Sequence, residues 1–66
     1  MTDLANRIKK LRVDSQKSQE DVAAYLGITY QAYAHYEKGR REPSVYILIK
    51  LSEIFNVTLD YLLKGI

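Results

Sequence analysis

Thirteen consecutive residues, TYQAYAHYEKGRR at 29–41, hold most of the side chains in this chain that could recognise a partner. The Gln31 amide can donate and accept hydrogen bonds at once, while Tyr30, Tyr33 and Tyr36 offer flat apolar rings that end in hydroxyls. His35 is the sole histidine, and Lys38, Arg40 and Arg41 close the stretch with three positive charges. This is chemistry for reading hydrogen-bonding edges and gripping anions. Catalysis has much less to work with. The chain has no cysteine, so a thiol nucleophile and a thiolate zinc site are both excluded, and the lone histidine has no second imidazole to share a metal. Scattered carboxylates without a nucleophile and base constellation, and without a phosphate-cradling glycine loop, predict neither an enzyme nor a metal or cofactor site.

Charge placement points the same way. Residues 1–41 carry eight Lys/Arg against five Asp/Glu, whereas residues 42–66 carry two against three. The N-terminal side is therefore positive and favours a polyanionic partner, although a solvated helix face would have a similar composition. A chain of 66 residues makes one domain, here 1–66, with a small, dense core. Its polar N-terminus has no apolar stretch of the signal-peptide kind, and its longest apolar run, VYILI at 45–49, is far short of the roughly 20 residues that span a bilayer. These features predict a soluble, cytoplasmic protein with no membrane partner.

The residues at 29–41 must be positioned by helices. The chain has a single proline and no sustained period-2 alternation, so a sheet is not expected. Leu4, Ile8 and Leu11 predict an amphipathic first helix over about 3–13, with Arg7, Lys9 and Lys10 on its outer face. Ser18 followed by Asp21 marks a capping-box start to a second helix ending at Gly27. Thr29 caps a third from 30 to about 38, stopped by Gly39. Ser44, just after Pro43, caps a fourth whose inner stripe is expected to be Val45, Leu48, Leu51 and Phe55, with Asn56 at its end. Thr58 caps a last helix that Gly65 stops; there Leu62 and Leu63 are expected to close the core. Only GIT separates the second helix from the third, a helix-turn-helix spacing that short paired helices in other bundles share.

The blocks RIKKLR at 7–12, SQEDVAAYLGIT at 18–29, YEKGRREPS at 36–44 and VTLDYLLKG at 57–65 resemble, in order and separation, the phage Cro and repressor type helix-turn-helix domains, also called xenobiotic-response-element regulators. The resemblance covers nearly the whole chain. It implies an all-α, compact five-helix domain whose third helix enters the major groove of double-stranded DNA, usually as a homodimer on a palindromic operator. Two departures stand before SQ, where the family often has Gly then Leu and this chain has Gln16 and Lys17. A strained turn and a lost hydrophobic staple are expected there.

Within that frame the tyrosines separate. Tyr30 and Tyr36 point about 120° apart on a helix, with Tyr33 between them, so they cannot form one working stripe. The resemblance implies that Tyr33 packs inward and that Tyr36 is partly buried. Tyr30, first after the cap, is left to meet base edges, and with Gln31, Ala34 and His35 it makes the expected base-contacting set. Gln31 is the sharpest candidate, because its amide matches adenine N6 and N7, while Ala34 is small enough to approach a thymine methyl. The expected backbone-contacting set is Gln19, Thr29, Lys38, Arg40 and Arg41, for Gln19 can donate to a phosphate where the free N–H groups of the second helix also point. The family also pairs an arginine late in its first helix with a glutamate at the end of its third, which implies a structural ion pair between Arg12 and Glu37.

For self-association, Ile47, Leu59 and Tyr61 align with the family's two-fold contact and are expected at a dimer interface. A protein-interaction module of the same fold, an antitoxin or an adaptor gripping a protein through Tyr25, Tyr46 and Tyr61, is the alternative reading.

Overall fold

The computed structural model describes residues 2–66, and every one of its regular elements is a helix: α1 (Thr2–Asp14), α2 (Gln19–Leu26), α3 (Tyr30–Glu37), α4 (Val45–Ile54) and α5 (Leu59–Lys64). Four of them begin in the same way. Ser18, Thr29, Ser44 and Thr58 each hold an extended backbone, and each hydroxyl accepts from the N–H three residues on, so that one of the unpaired donors of each first turn is satisfied. At Ser18 the Asp21 carboxylate also accepts from the cap N–H at 3.1 Å, completing the capping box.

The stops rely on left-handed backbone. Gly27 ends α2 at φ 75°, with its N–H directed to the carbonyls of Ala23 and Ala24. The turn after α1 makes a similar bend without glycine: Gln16 has φ 59°, the strain that its side chain predicts. Asn56, after α4, also lies in this region at φ 54°, where asparagine is tolerated better than most residues.

The helices close over one apolar cluster built from Leu4, Ile8, Val22, Leu26, Tyr33, Ile47, Leu51, Phe55 and Leu62, with Ala23 beside them. Tyr33 is fully buried at its centre, and its ring meets the half-buried ring of Tyr36 edge to face at a centroid distance of 6.4 Å. Both tyrosines therefore lie where the resemblance implies.

The inner face of α4 differs from the expected one. Ile47, Leu51 and Phe55 form it, Leu48 is half-buried, and Val45 stands 71% exposed. Helical phase explains the difference: Ile47 and Phe55 each lie about 40° from Leu51, whereas Val45 lies about 120° away. Ile47, placed by the sequence reading at a dimer interface, is a core residue. Phase also separates Leu62, fully buried, from its neighbour Leu63, which is exposed instead of closing the core.

Arg7 departs from its expected outer face. Its Nη1 donates to the Leu62 carbonyl at 2.8 Å, and its guanidinium lies over the Tyr61 ring, 6.0 Å from the centroid. The arginine thus ties α1 to the last turn of α5. A Cβ at Gly65 would sit 2.8 Å from Arg7 Nη2, so this glycine both adopts φ 79° and leaves room for the guanidinium.

Candidate nucleic-acid interface

The face carrying Tyr30 and Gln31 rests on a buried polar anchor at the far end of the same helix. Glu37, in the last turn of α3, receives Arg12 Nε at 2.6 Å and Arg12 Nη2 at 3.2 Å, a two-pronged bridge between α1 and α3. The Arg12 side chain is 14% exposed and that of Glu37 only 3%. Arg12 makes a third hydrogen bond: Nη1 donates to the Lys17 carbonyl at 2.9 Å, in the turn that Gln16 bends. The ion pair implied by the resemblance is therefore present, and it also fastens the entry to α2.

Burial alone would push the Glu37 carboxyl up, but the bonds from Arg12, with the neighbouring Tyr33 hydroxyl and Gln19, outweigh it and hold this carboxyl below the usual carboxylate range. The hydrogen bond to Glu37 raises Arg12 in turn. Burial, ahead of the neighbouring carboxylate, raises the Tyr33 phenol as well. Its hydroxyl lies beside this group but makes no hydrogen bond of good geometry.

Gln19 is part of the anchor. Its Nε2 donates to Glu37 Oε1 at 3.0 Å, so the amide expected at a phosphate already spends one of its two N–H donors inside the protein. The remaining N–H and the amide oxygen are what Gln19 can offer outward. Thr29 is likewise occupied, its hydroxyl accepting from the Ala32 N–H at 3.1 Å as the cap of α3. The sequence reading placed both at the DNA backbone; it foresaw the cap at Thr29 but not the bond from Gln19 to Glu37.

The outward side of α3 is as open as its residue types suggest. Tyr30, Gln31 and Lys38 are exposed, Ala34 and His35 are half-buried, and these five line one shallow hollow. A second hollow shares His35 with the first and is lined by it together with Arg40 and Arg41. Both arginines are exposed in the turn after α3, where the Arg40 N–H donates to the His35 carbonyl at 3.0 Å and Gly39 bends the chain at φ 71°. One continuous surface thus joins an aromatic ring, an amide, an imidazole and three cations. Lys9 and Lys10 are exposed on α1, with Lys10 paired to Asp14 at 3.1 Å.

At the opposite end, the residues expected at a dimer contact separate. Leu59 is exposed and Tyr61 half-buried under Arg7, while Ile47 belongs to the core. Tyr61 also lines an apolar groove with Leu11, Val57, Thr58 and Ile66. A further aromatic patch lies on α2 and α4, where the Lys50 ammonium is 5.3 Å from the Tyr25 ring centroid and 5.6 Å from that of Tyr46. Sequence reading named both tyrosines but missed the lysine between them. The i, i+4 spacing of Tyr46 and Lys50 was its only signal. Among the described residues no cluster of His, Asp and Glu could hold a metal ion, and no helix is long and apolar enough to cross a membrane.

The described geometry has counterparts. A helix-turn-helix family model matches residues 8–62. The chain is 49% identical over 59 residues to the SPbeta prophage-derived HTH-type transcriptional regulator YonR of Bacillus subtilis, covering 89% of this chain and 55% of that protein. It is 48% identical over 61 residues to the HTH-type transcriptional regulator YqaE of the same organism, covering 92% of this chain and 53% of the relative. The cryptic phage CTXphi transcriptional repressor RstR of Vibrio cholerae is 32% identical over 60 residues, with coverages of 91% and 54%. The chain thus spans about half the length of these relatives. Among solved structures, the P22 c2 repressor in complex with a synthetic operator superposes with a TM-score of 0.89 at 28% identity, each chain being covered to 96%.

Proposed function

Because this chain belongs to the helix-turn-helix family of phage Cro and repressor type, we propose that it is a sequence-specific DNA-binding transcriptional regulator, acting as a repressor in the cytoplasm and not as an enzyme. The observation that carries this reading is the surface on α3 and the following turn, where base-reading side chains and cations adjoin and the helix is anchored from beneath by Arg12, Glu37 and Gln19. An α-helix fits the major groove, so α3 lies in it with Tyr30, Gln31, Ala34 and His35 toward the base edges.

Gln31 reads an adenine through its amide, and Tyr30 sets its ring against a thymine methyl. Lys38, Arg40 and Arg41 grip phosphates and fix the register without reading sequence. Gln19 and Thr29 act there in part through the backbone at their helix N-termini, since their side chains are engaged internally. A palindromic operator calls for two copies, and the α5 end supplies a surface for them: Leu59, Tyr61 and the apolar groove of Leu11, Val57 and Ile66 meet their equivalents in a symmetric homodimer. The patch is small, so the dimer forms fully only on DNA.

A mobility shift with random duplex at low and then high salt tests the class. DNA binding must weaken steeply as counterions compete. Salt-insensitive binding, or none, would favour the second reading, a protein-interaction module of the same fold, for which the Tyr25, Lys50 and Tyr46 patch is the supporting observation.

A further inference from the structure

The helices assigned above to DNA and to the second copy, α3 and α5, are joined through α1. Among the described residues α3 packs on α1 and α2, α5 packs on α1 and α4, and α1 alone packs substantially against both. Two arginines make the joints. Arg12 holds Glu37 in the last turn of α3 at 2.6 and 3.2 Å, and Arg7 donates to the Leu62 carbonyl in the last turn of α5 at 2.8 Å. Five residues apart, they point about 140° away from each other around α1, so one helix reaches in two directions.

The pose of α5 depends on the second joint. With six residues this helix is too short to persist by itself, and Leu62 is its buried residue. A single buried side chain holds a helix in place better than it fixes its rotation. Arg7 restricts that rotation. Its guanidinium meets an acceptor of the last turn, where α5 has no donor of its own, and lies 6.0 Å from the Tyr61 ring centroid. It also fills the space that a side chain at Gly65 would take. We propose that Arg7 is a positioning residue for operator recognition: by locking α5 to the helix that also holds α3, it sets the angle between the dimer contact and the reading helix, and with it the half-site spacing that two copies accept. This rests on the DNA-binding and dimer readings above and adds to them the device that measures the spacing. The demand on such a device is strict, since one added base pair moves a half-site by about 3.4 Å and turns it by about 35°.

The test starts from the half-site that wild type selects from a random duplex pool. Duplexes then carry it once, or as an inverted repeat at the best spacing and at one base pair more or less, and affinity for each is read by fluorescence anisotropy. In wild type the second half-site should add about tenfold or more at the best spacing, and most of that gain should vanish at the other two. Arg7→Met should bind the single half-site as wild type does, with the same salt slope, and should bind the three repeats within about threefold of one another. Gly65→Ala reaches the clamp from the other side, since its methyl would stand 2.8 Å from Arg7 Nη2, and should flatten the spacing profile in the same way. The double variant should be no flatter than either alone.

A spacing profile in Arg7→Met that matches wild type, even with lower affinity or a lower melting temperature, would overturn the inference, because a contact that only supports the fold weakens all spacings alike. Weaker half-site binding with a flatter salt slope would make Arg7 a phosphate contact and overturn it too. Wild type that gains nothing from a second half-site at any spacing would overturn the dimer reading and the inference together, leaving DNA binding intact. Failure to select any duplex would overturn the DNA-binding reading as well.

Discussion

A side chain that reads a base and one that grips a phosphate leave different signatures, and Gln31 and Arg41 are expected to display them separately. Both are exposed, so neither truncation should disturb the fold. Gln31→Ala should lose about 1–3 kcal/mol of discrimination at one base pair per half-site, measured by competition among operator variants. Arg41→Ala should weaken binding to all sequences alike and reduce the slope of log K against log salt by about one phosphate. The reverse pattern would mean that α3 does not enter the groove in this orientation. The outward set at Tyr30, Gln31, Ala34 and His35 was legible because side-chain direction follows from the cap at Thr29 and the helical period. Internal hydrogen bonds were less legible. Nothing in the spacing of Gln19 and Glu37, 18 residues apart, indicates that the amide of one will donate to the carboxylate of the other. Arg7 shows the same limit, since its inward turn depends on a carbonyl 55 residues away.

Between elements, the bridge from α1 to α3 sets the pose of the outward α3 face. Arg12→Met alone leaves the Glu37 carboxylate buried without its cation and should cost roughly 3–5 kcal/mol; Arg12→Met with Glu37→Leu should recover much of that in denaturant unfolding. Purely additive losses would show that the two side chains do not act as a pair. The same bridge sets an acid limit. The Glu37 carboxyl is held below its ordinary range in the folded protein, so its stabilisation is fully present above that range and is lost as pH falls through the depressed folded value. Unfolding free energy should therefore fall on acidification below about pH 4, and the double variant should fall less steeply. The turn after α1 offers a contrasting change: Gln16→Gly should stabilise by about 1 kcal/mol, because glycine adopts φ near +60° without the Cβ clash. Helix starts and stops were readable almost to the residue from Ser, Thr, Asn and Gly. On α4 Leu51 and Phe55 were read correctly but the first turns were not, because VYILI is apolar on every side, and only the Ser44 cap and the packing of Leu51 choose which positions turn inward.

For the whole molecule, the expected assembly is a homodimer that sets two copies of α3 about 34 Å apart, on half-sites about one DNA turn apart. Light scattering across concentration, alone and with a palindromic duplex, should show association that the duplex strengthens, and Tyr61→Asp should abolish that gain. A wild type that occupies a single half-site as tightly as the palindrome would exclude cooperative pairing. The family and the five-helix architecture were legible because four sequence blocks recur in order. Of the residues expected at a dimer contact, Ile47 is claimed by the core, whereas Leu59 is exposed and Tyr61 half-buried. The four hydroxyl caps bear on a different property, the speed at which the native state is reached. Ser18, Thr29, Ser44 and Thr58 each act on an N–H three residues away, and several of the turns close through bonds of similarly short reach, as at Gln16, Gly39 and Asn56. Instructions so short in sequence need little loop closure before they take effect, so α2 to α5 can start to form before the core consolidates. Stopped-flow refolding should accordingly finish within milliseconds or faster, and a domain that recloses this fast spends little time open to a protease.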